Sequence, residues 1–383
     1  MRIALVTDTY TPQVNGVTTV VHHMTQAVTR AGHACAVVAP HYPAGVAAQS
    51  QELRLPSIPF PPYPAIRLSL MAGRPVARYL DDFRPDVVHA ATEGPLGLAG
   101  RRYALRRRLP LVTAFHTNFP AYCRHYGAPG LEPAVWRWLV WFHRPARLTH
   151  TPGEFVRDTL IAKGIRQAVV WGRGVDTDHF RPDRDRAPWR WRLGLPAGVV
   201  LVLHVGRLAP EKNLEMLWES WAIARAALGA RARFVVAGDG PAAALVRSRM
   251  PWATHLGFLD RETLADLYAA ADVCILPSAT ETCGLVALEA MASGVPVVAA
   301  DAGGFRESIR HGITGLLARP RDPEALAAHV IHLVMERSRR LALAAAARRF
   351  ALTRSAALED AALLAQYQTI LGHDLGKGTE CAA

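Results

Sequence analysis

The sequence predicts an α/β protein of two doubly wound, parallel-sheet domains of Rossmann-like build that face one another across a cleft. Three observations carry that expectation. The chain has 383 residues, which at about 100–200 residues per domain favours two domains. Short, uniformly apolar runs alternate with longer amphipathic segments, the pattern of strands covered on both faces by crossover helices. That alternation starts afresh after a polar, proline-punctuated stretch at 181–192.

The first domain, 1–180, opens on the strand RIALV (2–6). A helix follows over 16–33, closed by Gly32, which can adopt the left-handed conformation of a helix end. ACAVVAP (34–40) is the next strand, and PDVVHA (85–90), PLVTAF (110–115), RLTHT (147–151) and QAVVW (167–171) continue the sheet. Helical patterns lie between them at about 95–108, 133–146 and 153–163. Residues 181–192 form the linker. The second domain, 193–350, repeats the rhythm with strands at 198–206, 231–238, 253–258, 271–277 and 295–300. Its helices fall near 212–228, 241–249, 260–270, 284–293, 304–310 and 322–337. A terminal helix over 351–371 is expected to pack back on the first domain, before a tail at 372–383. In such folds ligands bind at the strand C-termini.

Composition narrows the function. Half of the residues are hydrophobic, which excludes disorder and allows sizeable cores. No run approaches the 18–20 apolar residues of a membrane helix, and the N-terminal apolar run is too short for a signal-peptide core, so the expected location is the cytoplasm. The five cysteines, Cys35, Cys123, Cys274, Cys283 and Cys381, include no CxxC pair and read as free thiols in a reducing compartment. The net charge is +12. Residues 1–192 hold 25 Lys and Arg against 13 Asp and Glu, whereas 193–383 hold 19 of each. A basic half suits a phosphate-bearing partner such as a nucleotide, nucleic acid or anionic lipid, or it reflects an arginine-rich composition alone.

The densest chemical signal is PSATETCGLVALEAMASGVPVVAADAGG (277–304). A strand ends, a polar loop carries Glu281, and a helix begins at Gly284. Glu289 lies eight residues beyond Glu281, about two turns away, so both carboxylates can face one ligand. Gly284 allows close approach to the backbone, and the amides of Thr282, Cys283, Gly284 and Leu285 form a helix start that favours an anion. Two solvated glutamates on an ordinary helix would look the same in isolation. The second signal, HVGRLAPEKN (204–213), places Arg207 and Lys212 after a strand. The chain has only three lysines, so a lysine here mildly favours a need for a compact ammonium, and two cations at a strand end suit a diphosphate.

In TDTYTPQVNGV (7–17), Gly16 after Asn15 brings backbone amides to a phosphate or merely makes a tight turn. In AFHTNFPAYCRHYG (114–127), His116 follows a buried strand and titrates near neutrality, so it either hydrogen-bonds a substrate or serves the structure. Glu93 occupies a third such loop. The three asparagines, Asn15, Asn118 and Asn213, all fall in these loops. Asp176-Thr177-Asp178 matches a metal-holding Asp-x-Asp pattern but leads out of the first domain and is assigned to the linker region. No GxGxxG follows a strand, which argues against a dinucleotide dehydrogenase. The tryptophan-rich VWRWLVWFHR (135–144) reads as core, or as a surface that dips into a membrane.

Together VNGV, HTNF, GRGVDTDHF, VGRLAPEKN, AGDGP and ETCGLVALEAMASGVPVVA resemble family 4 of the retaining, GT-B-fold glycosyltransferases, in the family's order and over about residues 1–320. The resemblance implies transfer of a sugar from a nucleotide diphosphate sugar with retention at the anomeric carbon and no catalytic metal or other cofactor. It implies an acceptor-side first domain and a nucleotide-sugar-binding second domain. Arg207 and Lys212 would bind the leaving diphosphate, Glu289 the ribose, and Glu281 with the amides of Thr282, Cys283, Gly284 and Leu285 the donor sugar. Gly206 and Gly238 belong to the matched donor motifs. Gly16 would approach the phosphates and His116 the reacting sugar, with Asn15, Glu93 and Asn118 on the acceptor side. Cys283 stands where the family more often has Phe. The stretches 114–127 and 171–180 look most like the subgroup of α-mannosyltransferases using GDP-mannose.

Cleavage of the donor puts negative charge on the diphosphate, which pre-placed cations and amides stabilise. No carboxylate is clearly placed as a nucleophile, which favours front-side attack, and domain closure would exclude water. The expected partners are a nucleotide sugar, a lipid or glycan acceptor and an anionic membrane surface on the inner face of the cell membrane, with no nucleic acid. A UDP-sugar donor, a sugar-nucleotide epimerase of the same fold and a basic nucleic-acid-binding protein are the alternatives. The last would want exposed aromatic and basic residues interleaved on a strand or groove-reading helix, and neither is evident.

Overall fold

A computed structural model describes residues 1–13, 15–43, 51–60, 63–120, 123, 127–172, 174–281 and 284–378. The chain divides into two compact units, Met1–Gly172 with Asp360–Ala383, and Arg173–Glu359.

The described strands of the first unit are β1 (Arg2–Val6), β2 (Ala34–Pro40), β3 (Glu52–Leu55), β4 (Ile58–Phe60), β5 (Tyr63–Leu68), β6 (Val87–Ala90), β7 (Leu111–Ala114), β8 (Leu148–Thr151) and β9 (Ala168–Val170). Seven of them form a parallel sheet in the order β3-β2-β1-β6-β7-β8-β9, and β4 and β5 make a separate antiparallel pair. β1 is buried along Ile3–Val6 because helices cover both of its faces. On one side Val21, Met24 and Val28 of the helix Gly16–Arg30 pack with Ile3, Leu5, Leu363, Tyr367 and Ile370. The last helix, Ala356–Gly378, thus contributes Leu363, Tyr367 and Ile370 to this unit's core. On the other side Ala4 and Val6 meet Val76, Leu80, Leu96 and Tyr103.

The second unit contributes β10 (Val200–Val205), β11 (Ala232–Ala237), β12 (Thr254–Gly257), β13 (Val273–Leu276), β14 (Val297–Ala300) and β15 (Gly315–Ala318). They form a parallel sheet in the order β12-β11-β10-β13-β14-β15. The strand order reverses beside β10, between β11 and β13, which is where such sheets open a crevice at their C-terminal edge. Side chains do the capping: the Thr263 amide donates to Asp260 and the Ala325 amide to Asp322, each at 2.9 Å, ahead of the helices Arg261–Ala270 and Pro323–Met335. Such caps satisfy amides that a helix start leaves orphaned.

The structure departs from the sequence reading in three places. Residues 52–83 hold β3, the β4–β5 pair and the helix Gly73–Phe83, and β15 closes the second sheet, none of which the apolar runs announced. Residues 181–192, read as a linker, are folded onto the second unit. Trp189, in the helix Ala187–Arg192, is buried in its core, and Arg184 and Arg186 pair with Asp266 and Asp272. Asp176 is likewise engaged. It accepts from the His179 amide at 3.0 Å and pairs with Arg261 at 2.8 Å.

The described Cys35, Cys123 and Cys274 are free thiols. Among the described residues no helix is long and apolar enough to cross a membrane.

Candidate active site

The candidate site of the second unit is assembled from the loops that follow β10, β11, β13 and β14. After β10 the chain turns at Gly206, whose amide donates to the Ala237 carbonyl at 3.1 Å. After β11 the chain turns at Gly238, with φ of +144°, where a Cβ would lie 1.9 Å from the Gly206 carbonyl oxygen. These loops touch backbone to backbone, and only glycine satisfies both the dihedral and the space.

The β10 loop then carries Arg207 and a short 3-10 turn, Pro210–Lys212, that ends on Asn213 in the left-handed conformation. Asn213 Nδ2 donates to the Pro277 carbonyl at 3.2 Å, and the Thr280 hydroxyl donates to the Glu211 carbonyl at 3.0 Å. The loops after β10 and β13 are thus stitched together. The β14 loop holds the same segment from another side, since the Gly304 amide donates to the Glu281 carbonyl at 2.8 Å.

Within this frame the charges pair off. Arg207 forms an ion pair with Glu211, and Lys212 forms one with Glu281. Glu211 is buried, while Lys212 and Glu281 keep about a quarter of their side-chain surface, 26% and 22%. Below them His204, on β10, is buried. Its Nδ1 donates to the Ile275 carbonyl at 2.8 Å, and burial, with Lys212 adding to it, depresses its pKa to about 4. This imidazole is neutral and leaves the cationic work to Arg207 and Lys212.

Gly284, at φ +67°, starts the helix Leu285–Ala292; a Cβ there would meet the Phe305 ring at 2.8 Å. One turn in, Glu289 accepts from the Tyr268 hydroxyl at 3.3 Å. Burial pushes the Glu289 carboxyl up to about 7, against the pull of that hydroxyl and of Arg261. Its ordinary value is 4.5, so between those two values the folded chain holds a proton that the unfolded chain has lost. The stability of the substrate-free protein should therefore fall as pH rises through that window and level off above it. Thermal melts across pH 4–8 should show this slope in the native chain and a weaker one in Glu289→Gln.

Glu211, Tyr268 and His204 were not among the residues singled out from sequence. Glu211 adjoins Lys212, which was the available signal. Tyr268 gave none. Thr282 and Cys283 lie outside the described residues. Leu285 is partly buried against the core.

The first unit spends its candidate residues differently. The Asn15 side chain accepts from the Thr18 amide at 2.8 Å and donates to the Thr9 hydroxyl at 2.9 Å, so it caps the helix that Gly16 begins. Glu93 is buried 3.4 Å from His143 Nε2. His116 stands two residues past β7, partly buried. Asn118 follows in the same loop, partly buried.

A residue missed from sequence, Asp8, sits at the end of β1. It accepts from the Leu96 amide at 2.8 Å and the Gly97 amide at 3.3 Å, and from the Thr92 hydroxyl at 2.6 Å. Its carboxyl occupies the start of the helix Pro95–Arg107, which is therefore no place for a phosphate. The tryptophan stripe is split. Leu139 and Phe142 are buried, whereas Trp138 and Trp141 are exposed, their rings tilted against one another with centroids 5.0 Å apart. In the basic stretch RRYALRRR (101–108), Arg101 is buried and donates to the Phe142 and Trp141 carbonyls, and Arg107 pairs with Asp81.

Comparison with known proteins bears on these arrangements. Residues 14–179 match the family model described as Glycosyltransferase Family 4, and residues 200–336 match that described as Glycosyl transferases group 1. A GDP-mannose-dependent alpha-mannosyltransferase of Mycobacterium tuberculosis is 38% identical over 97% of this chain and 97% of its own length. The protein of the same name from Mycolicibacterium smegmatis is 36% identical over 97% of this chain and 98% of its length. Among solved structures, Anabaena HepE in complex with UDP superimposes with a TM-score of 0.79 at 21% identity, covering 96% of this chain and 100% of that one.

Proposed function

The chain belongs to glycosyltransferase family 4 and has the GT-B fold, and from that premise we propose that it moves a mannosyl group from GDP-mannose to a hydroxyl of a lipid or glycan. The transfer retains the anomeric configuration and needs no catalytic metal. The observation that carries the reading is the pair of cations that follow β10, Arg207 paired with Glu211 and Lys212 with Glu281, four residues ahead of the helix Leu285–Ala292. The near-full-length mycobacterial relatives support mannose and guanosine diphosphate as donor parts.

The chemistry follows from charge. As the anomeric C–O bond breaks, the electron pair goes to the β-phosphate oxygen and the sugar ring gains oxocarbenium character. Arg207 and Lys212 take up the diphosphate charge in a preorganised setting, where such contacts are worth far more than in water. Glu289, once ionised, accepts from a ribose hydroxyl, and Glu281 accepts from donor-sugar hydroxyls. The acceptor hydroxyl attacks from the face the diphosphate leaves, and its proton passes to the departing phosphate oxygen. His116, with Asn15, Gly16, Glu93 and Asn118, belongs to the first unit, which we read as the acceptor side. Because the leaving-group charge is met by side chains and amides, turnover has no need of Mn²⁺ or Mg²⁺.

A lipid-borne acceptor is in keeping with the exposed Trp138–Trp141 pair and the basic first half of the chain. Surface cations favour an anionic leaflet, and exposed tryptophans add an apolar grip. The charge available is smaller than the sequence run suggests, since Arg101 and Arg107 are already engaged.

One experiment tests these points together. Release of free sugar and transfer to mixed lipid and glycan acceptors are measured with GDP-mannose and with UDP-sugars, with and without EDTA, and with and without anionic vesicles. GDP-mannose should be used in preference, EDTA should leave the rate unchanged, and vesicles should bind the protein more weakly as salt rises. Preference for a UDP-sugar would overturn the donor. Rescue of an EDTA-treated enzyme by Mn²⁺ would overturn metal independence, and indifference to vesicles would remove the membrane.

A further inference from the structure

The two ion pairs of the donor site are not equivalent. The Glu211 carboxylate that pairs with Arg207 is buried, with 6% of its side-chain surface exposed. Glu281 is more open; the Gly304 amide holds its backbone at 2.8 Å, and Lys212 is the partner of its side chain. That side chain keeps 22% of its surface. The Lys212–Glu281 pair is therefore the exchangeable one.

Lys212 is asked to do two things that compete. An ammonium held tightly by a carboxylate cannot give its full charge to a diphosphate. A carboxylate held by an ammonium cannot accept fully from sugar hydroxyls. Beneath the pair, His204 supplies no substitute. Its Nδ1–H is committed to the Ile275 carbonyl at 2.8 Å, and its Nε2 is a buried acceptor with no hydrogen-bond partner among the described residues. The nearest replacement for Glu281 at Lys212 is an incoming anion, and the nearest replacement for Lys212 at Glu281 is a set of hydroxyl donors.

We propose that Glu281 discriminates a nucleotide sugar from the free nucleoside diphosphate by competing for Lys212. The inference rests on the donor-site reading given above and deepens it. A nucleoside diphosphate alone must break the Lys212–Glu281 pair and leaves Glu281 with nothing but water. A nucleotide sugar breaks the same pair and satisfies both halves, the ammonium with phosphate oxygens and the carboxylate with sugar hydroxyls. Substrate is thus favoured over product at one position, and product departs as the pair re-forms. The coupling is between two parts of one ligand, and it is reciprocal as any such linkage must be.

The test is calorimetric titration of GDP, and of UDP in parallel, into the full chain and into Glu281→Gln, Lys212→Ala and the double variant. Glu281→Gln should bind GDP more tightly by roughly five-fold or more, the low end of an ordinary coupling, while its transfer rate falls. In the Lys212→Ala background the same change should leave GDP affinity unaltered. Glu281→Ala should behave as Glu281→Gln, and melting curves check that all variants are folded. Unchanged or weaker GDP binding in both Glu281 variants would overturn the inference. So would equal tightening without Lys212, which would mean simple charge repulsion. If the native chain binds neither GDP nor UDP, the donor-site reading itself fails and the inference falls with it. If it binds one of them and Glu281→Gln does not tighten, only the inference fails.

Discussion

Replacing Lys212 with alanine is expected to lower turnover by about 10²–10³-fold, the scale lost when one preorganised charge contact is removed from a transition state. The fold should survive, because the Glu281 carboxylate left behind is partly exposed and can be hydrated. Arg207→Ala should lower turnover on the same scale but with a second consequence. It leaves the buried Glu211 carboxylate without that ion-pair partner, and an uncompensated buried charge is strongly destabilising. Steady-state rates measured alongside melting curves separate these effects. A Lys212→Ala enzyme that turns over near the native rate would remove the diphosphate role from this loop.

The second large effect is structural. Gly238→Ala sets a methyl group 1.9 Å from the Gly206 carbonyl oxygen at a φ of +144°. The obstacle is backbone, so no side chain can swing away. The expected cost is about 3 kcal/mol or more, which in a unit of this size lowers the melting midpoint by roughly 6–12 °C. Gly198→Ala is the control. Its φ is +85° with nothing within 4 Å of the added carbon, so it carries the dihedral strain without the collision and should cost about 1 kcal/mol. Differential scanning calorimetry reads both, and equal midpoints for the two variants would contradict the backbone contact between the loops.

How much of this was visible in the sequence depends on where each residue's partners lie. β1, β2, β10, β11, β13 and β14 were legible because their residues are buried by helices on both faces, so apolar runs mark them. β3 was not, since ELRL sits at a sheet edge where only Leu55 is fully buried. The helix Gly73–Phe83 buries Val76 and Leu80 alone and has no side-chain cap, so neither a start signal nor a broad stripe announced it. The placement of Arg207 and Lys212 in the loop after β10 was legible because an apolar run marks that strand.

Glu211 escaped because PEK reads as an exposed turn, and its burial comes from contact with Thr280, 69 residues away. Tyr268 escaped for the same reason, being 21 residues from the Glu289 it bonds. Asn15 shows the converse. A polar residue ahead of a helix suits both a ligand and a cap, and its hydrogen bonds to Thr18 and Thr9 account for it as a cap.

The central claim is that the loops after β10 and β13 hold a nucleotide diphosphate sugar through Arg207, Lys212, Glu281 and Glu289. A crystal structure of the full chain with GDP tests it most directly. The account predicts diphosphate oxygens within hydrogen-bond distance of both Arg207 and Lys212, the ribose at Glu289, and the Lys212–Glu281 pair opened. Clear density for GDP elsewhere, with Lys212 still held by Glu281, would contradict it.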